Sequence, residues 1–192
     1  MDGIYDNEGF LHIISGCMFS GKTTKLKELL GNYSLHKGYN TVLYSHDNTD
    51  RNRNNRVNPF SIPTNITYIV ELNKYTIIDD NIKVIGIDEA QFFNENIIEF
   101  VHKYLRLHKI IIISGLDGTF EGKSFGHIHN LIQHAYKFDK LTARCNICIS
   151  KGDTNYPALY SARVSNNKEL IVIGDDKYMP MCSLHYYEHC SK

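Results

Sequence analysis

Eight residues near the N-terminus restrict this chain more than anything else in it. Gly16, Cys17, Met18, Phe19, Ser20, Gly21, Lys22 and Thr23 satisfy the pattern G-x-x-x-x-G-K-[ST]. The pattern has meaning only between a strand and a helix, and both neighbours are legible. Leu11-His-Ile-Ile-Ser15 reads as an apolar strand, and from about Thr23 to Tyr33 the residues follow an amphipathic helical pattern. Glycines in such a loop let successive N–H groups turn toward one phosphate, and the following helix adds partial positive charge. Lys22 then reaches the outer phosphates, and the Thr23 hydroxyl is a ligand for Mg²⁺.

The rest of the first two thirds is consistent with that start. Thr41-Val-Leu-Tyr-Ser45, Ile82-Lys-Val-Ile-Gly-Ile-Asp88 and Lys109-Ile-Ile-Ile-Ile-Ser114 are β-branched runs, apolar nearly throughout. Such runs belong to a sheet covered on both faces, so the expected class is α/β with a mostly parallel sheet. Ile97, Phe100, Val101, Tyr104 and Leu105 recur at helical spacing between the last two runs, with Asn94 as the expected N-cap. The stretch 46–65, crowded with Asn, Asp and Arg, reads as a surface loop. Asp88 closes the third strand, where a phosphate-loop protein holds its magnesium, and Glu89 beside it suits activation of a hydroxyl or positioning of water.

From about Leu141 the pattern changes to short segments with clustered Cys and His. Cys145-Asn-Ile-Cys148 and Cys182-Ser-Leu-His185 are two pairs of identical internal spacing, the ligand set of a closed, structural Zn²⁺ site. His189 and Cys190 compete with His185 as the fourth ligand. The expected division is residues 1–141 as a nucleotide-binding domain and 142–192 as a small metal-bearing one.

Composition removes several classes. The chain has 192 residues, 42% of them hydrophobic and 22% charged, enough for one buried core and a small appendage. Twenty-one basic residues balance 21 acidic ones, leaving no overall field to draw in nucleic acid or an anionic membrane. The longest apolar runs fall far short of the roughly 20 residues a membrane helix needs. An acidic, polar start (Met1 to Glu8) and five cysteines without a stapling pattern fit a cytoplasmic protein with no membrane or nucleic-acid partner.

Gly16 to Thr23, Asp88-Glu-Ala-Gln-Phe-Phe93, Gly115-Leu-Asp-Gly-Thr-Phe120, Lys123, Phe125-Gly126, the two ligand pairs and Ile173-Gly174 together resemble the type II thymidine kinases. The likeness runs in order from about Leu11 to His185. It implies a RecA-like phosphate-loop domain, a C-terminal zinc-binding lasso that closes over a nucleoside, and transfer of the γ-phosphoryl of ATP to the 5′-hydroxyl of thymidine. It further implies deoxyuridine as a second acceptor and a homotetramer. By matching position, Glu89 is the base and Gln91 lies beside the phosphates. Met18, Phe92, Leu116, Phe120, Phe125 and Tyr178 wall the thymine pocket. Leu170, Ile171, Val172, Ile173 and Gly174 hold base and sugar through backbone groups. Ser161 stands where the family commonly has a threonine near the 5-methyl group, and Arg163 sits near the 5′ end.

Departures from the family pattern are the terminal His185 in place of a cysteine and Lys123-Ser124-Phe125-Gly126 in place of Lys-Pro-Phe-Gly. The segment from Ser45 to Arg51 cannot be registered uniquely, so Asp47, Asp50 and Arg51 receive no role. Two rival readings are another phosphate-loop ATPase or transferase, and an ATP-dependent nucleic-acid-binding protein using the zinc knuckle and the loop with Arg51, Arg53 and Arg56.

Overall fold

A computed structural model describes residues 8–47, 66–164 and 177–191. Asp50, Arg51, Arg53 and Arg56, most of the Asn-rich stretch, and Leu170 to Gly174 lie outside the described residues.

Six parallel strands form the main sheet: β1 (Leu11–Gly16), β2 (Asn40–His46), β3 (Ile66–Ile69), β4 (Ile82–Asp88), β5 (Ile110–Gly115) and β6 (Lys137–Leu141), in the order β3-β2-β4-β5-β1-β6. Alternation of side chains along each strand divides the core into two layers. Leu11, Ile13, Ile85, Ile87, Ile111 and Ile113 face α2 (Asn96–Arg106) with its Ile97, Phe100, Val101 and Tyr104. Ile14, Leu43, Val84, Ile110 and Ile112 face α1 (Lys22–Lys37) through Leu26 and Leu30. A Cβ on Gly86 would stand 2.6 Å from Leu30 Cδ1, so glycine there lets α1 seat on β4. With both faces covered, the central strands have no solvent side, which is why they read as unbroken apolar runs.

The expected elements appear with shifted ends. The first helix runs on to Lys37, beyond Tyr33, and stops at Gly38, whose φ of 66° is left-handed. The cap of α2 is Glu95, one residue after the expected Asn94. Asn94 still serves the turn, since its Oδ1 accepts from Asn96 N–H at 3.0 Å. Strand β6 was not legible: Lys137, Asp139 and Lys140 mark an edge strand half exposed to water.

After a short α3 (Ile128–Leu131), and beyond β6, come β7 (Ala143–Arg144), α4 (Asn146–Ser150), β8 (Pro157–Ala158), β9 (Tyr160–Arg163), β10 (Tyr178–Met181) and α5 (Ser183–Cys190). Here β7 pairs with β8 and β9 with β10, each antiparallel. No helix among the described residues is long and apolar enough to cross a membrane.

Candidate active site and metal centre

The loops after β1, β4 and β5 lie at the carboxyl ends of parallel strands, the end where open α/β sheets bind ligands. The loop after β1 is wound through positive φ at Gly16 (150°), Phe19 (65°) and Gly21 (86°). Glycine is compulsory at 16 for space as well, because a Cβ would meet the Leu141 carbonyl oxygen at 2.3 Å. Lys22 is buried and its Nζ donates to the Cys17 carbonyl at 2.6 Å, so the ammonium is folded back over the loop. Ser20 Oγ is buried without a hydrogen-bond partner among the described residues. A coiled backbone, an inward lysine and a buried hydroxyl lacking a protein acceptor fit a bound phosphate chain.

The end of β4 is tied to this loop. Thr23 Oγ1 donates to Asp88 at 2.9 Å, Ser114 Oγ donates to the same carboxylate, and Glu89 N–H donates to it at 3.0 Å. Burial pushes the Asp88 carboxyl above its ordinary pKa, with the neighbouring Glu89 charge adding to the rise. A hard-oxygen pair of hydroxyl and carboxylate suits Mg²⁺.

Glu89 itself holds a left-handed φ of 53°, uncommon for a residue with a Cβ. Its Oε2 accepts from Gln91 Nε2 at 2.7 Å, while Gln91 Oε1 accepts from Leu116 N–H at 2.9 Å. Gln91 is buried and bridges the turn after β4 (Ala90–Phe92) to the loop after β5. Sequence reasoning placed Gln91 beside the phosphates; the structure adds that it orients Glu89. Ser114 was missed, having looked like an ordinary strand residue.

The expected wall residues fall into two sets. Phe92 meets Phe125 edge-on at 5.7 Å, with the buried His46 ring 5.8 Å from Phe92. Phe120 lies under the Arg163 guanidinium at 3.7 Å, and Arg163 Nη2 donates to the Tyr178 hydroxyl. Tyr186, which carried no signal in the sequence, donates its hydroxyl to the Phe120 carbonyl at 2.8 Å. Ser161 is buried and its Oγ accepts from Met18 N–H at 2.8 Å. A cleft of about 760 Å³ opens between Phe19 of the phosphate loop and Thr142, Arg144, Asn146, Asn155, Tyr178 and Pro180.

The two pairs matched by spacing come together in the fold. Cys145, Cys148, Cys182 and His185 are all buried, with one ligand atom from each lying within 4.8 Å of every other. His185 Nδ1 stands 3.5, 3.5 and 3.3 Å from the sulfurs of Cys145, Cys148 and Cys182, and the last two sulfurs are 3.9 Å apart. A tetrahedron with Zn–S near 2.3 Å and Zn–N near 2.0 Å has edges of roughly 3.5–3.8 Å, so the donor set fits Zn²⁺. Burial opposes ionisation of Cys145, but N–H groups of Cys148 and Cys182 and the His185 ring outweigh it and bring that thiol down to about 6. Burial, with Cys145 and Cys182 alongside, pushes Cys148 up to about 12. Of the rival fourth ligands, Cys190 is exposed, and His189 Nε2 is bonded to the Arg163 carbonyl at 2.8 Å.

Residues 9–186 match the family model described as thymidine kinase. The thymidine kinase of Yaba monkey tumor virus is 38% identical over 94% of this chain and 96% of its own length. That of fowlpox virus is 31% identical over 95% and 100%, and the human cytosolic thymidine kinase 33% over 95% and 75%. Domain III of the Thermotoga maritima replication initiation protein DnaA overlaps 70% of this chain and 55% of its own, with a TM-score of 0.42 at 20% identity.

Proposed function

The chain belongs to the thymidine kinase family, and from that premise we propose that it transfers the γ-phosphoryl group of ATP to the 5′-hydroxyl of thymidine, giving dTMP and ADP. The observation that carries the reading is the Thr23–Asp88 hydrogen bond, which locks the phosphate loop to the strand end that presents Glu89.

Phosphoryl transfer asks mainly for positioning and charge neutralisation. Backbone amides of the Gly16 to Thr23 loop, apart from that of Met18, which is given to Ser161, grip the triphosphate with the Lys22 ammonium, and Thr23 and Asp88 would hold Mg²⁺. When bound, that ion neutralises charge on the outer phosphate oxygens. Glu89 accepts the proton of the 5′-hydroxyl, its carboxylate oriented by Gln91. Met18, Phe92, Leu116, Phe120, Phe125 and Tyr178 exclude water around the nucleoside, and Arg163, stacked on Phe120, faces its 5′ end. Leu170 to Gly174 read the base edge through backbone groups. Residues 1–141 act as the nucleotide-binding domain and 142–192 as the lasso domain, pinned by Zn²⁺ on Cys145, Cys148, Cys182 and His185. The working form is a cytoplasmic homotetramer, to be read by analytical ultracentrifugation.

Incubation with MgATP and a panel of nucleosides tests the assignment. Thymidine and deoxyuridine should yield 5′-monophosphates and purine nucleosides should not; equal rates with a purine would end the acceptor assignment.

A further inference from the structure

Two hydrogen bonds cross from the phosphate loop to the metal-bearing part of the chain, and phosphoryl transfer as described above uses neither. The Cys17 thiol donates to the Ala158 carbonyl of β8 at 3.3 Å, and the next residue's N–H, that of Met18, donates to Ser161 Oγ of β9 at 2.8 Å. Both sites are closed to water: Cys17 is 2% and Ser161 5% exposed. Cys17 also packs in one buried cluster with Ala158 and the metal-ligating Cys145, Cys148 and Cys182.

We propose that the zinc-bearing unit positions the phosphate loop, with Ser161 as the positioning residue that fixes the Met18 amide and Cys17 as a second anchor, so that the grip on nucleotide depends on the seating of β8 and β9. The loop needs such a frame. Phe19, directly after Met18, holds φ at 65°, a conformation that persists in a residue with a Cβ only where its surroundings impose it. A hydroxyl accepting the preceding amide is such a constraint, and it comes from a strand about 140 residues away in sequence. Because a thiol donates weakly, Ser161 is the stronger of the two anchors.

The inference rests on reading Gly16 to Thr23 as the nucleotide loop, and its test uses binding, so that it stands apart from turnover. MgADP and thymidine affinities are measured by calorimetry on the full chain, with zinc content by elemental analysis. Ser161→Ala should bind MgADP about three- to tenfold more weakly, the loss expected for one buried hydrogen bond, with zinc retained. Ser161→Thr, which keeps the hydroxyl, should restore MgADP affinity. Parental MgADP affinity in Ser161→Ala, or a loss confined to thymidine, overturns the proposal. Should Ser161→Ala not fold, Cys17→Ala carries the test: weakening by about twofold supports it and unchanged affinity overturns it. A parent that binds MgADP normally but phosphorylates no thymidine would sink the functional reading and leave this one intact.

Discussion

Glu89 occupies a backbone conformation that costs about 1–3 kcal/mol, and the residues around it explain why it persists. Gln91 grips its side chain, Asp88 its amide, and Gly126 packs against the Gln91 backbone. Gly126 has φ 62°, and a Cβ there would lie 2.4 Å from the Gln91 carbonyl oxygen. Gly38 has nearly the same φ, 66°, with nothing within 4 Å. Gly38→Ala should therefore cost only the left-handed strain, about 1–2 kcal/mol, whereas Gly126→Ala should cost more and lower kcat by displacing Gln91. Equal drops in Tm with unchanged kcat would show that Gln91 does not need this support. At the phosphate loop, Lys22→Ala should weaken MgADP binding and turnover together, since the charge serves ground and transition states alike. A variant that binds and turns over as the parent does would remove Lys22 from the mechanism.

Among the elements, the metal centre makes the sharpest demand. α4 and α5 each begin beside a member of the Cys/His cluster, Cys145 and Cys182, so an ion held there would tie both helices to the short strands between them. One Zn²⁺ per chain is expected by elemental analysis, retained in Cys190→Ser and lost in Cys148→Ser and His185→Ala. Zinc lost from Cys190→Ser alone would contradict the ligand set. This centre was legible in the sequence because ligand spacing is local and repeated. So were β1, β4 and β5, buried on both faces and therefore apolar without interruption. Strand β6 was not, because an edge strand alternates charge with Phe138 and resembles a polar linker. Nor were the contacts of Ser161 with Met18 and of Tyr186 with Phe120, where single residues far apart in sequence meet and leave no period or spacing behind.

At the scale of the whole molecule, the histidines with lowered pKa make stability fall toward acid pH. Burial lowers the pKa of His12, His46 and His102; for His12 the Asp139 carboxylate 2.8 Å away only partly offsets it, and for His102 the neighbouring His134 adds to it. A histidine with a depressed folded pKa contributes stability that is complete above about 6.5 and lost as pH falls through the folded value. Asp88 works the other way, because its raised pKa makes the folded chain the better proton acceptor as pH falls. Urea denaturation should show stability declining below about pH 6.5, and Asp88→Asn should decline more steeply for want of the opposing group. A parent equally stable at pH 7.5 and 5.5 would contradict this.

The Gly16 to Thr23 loop, the Glu89 strand end and the C-terminal strands and helix are held in one frame by Thr23, Gln91, Ser161 and Tyr186. The claim that this frame is a thymidine kinase is tested most directly by ADP release from MgATP, with and without thymidine, in the parent and in Glu89→Gln. The parent should release ADP in step with dTMP only when thymidine is present. Glu89→Gln, which keeps the shape and loses the proton acceptor, should fall by roughly 10²- to 10⁴-fold while binding MgADP as before. ADP release indifferent to thymidine, or a fully active Glu89→Gln, would contradict the account.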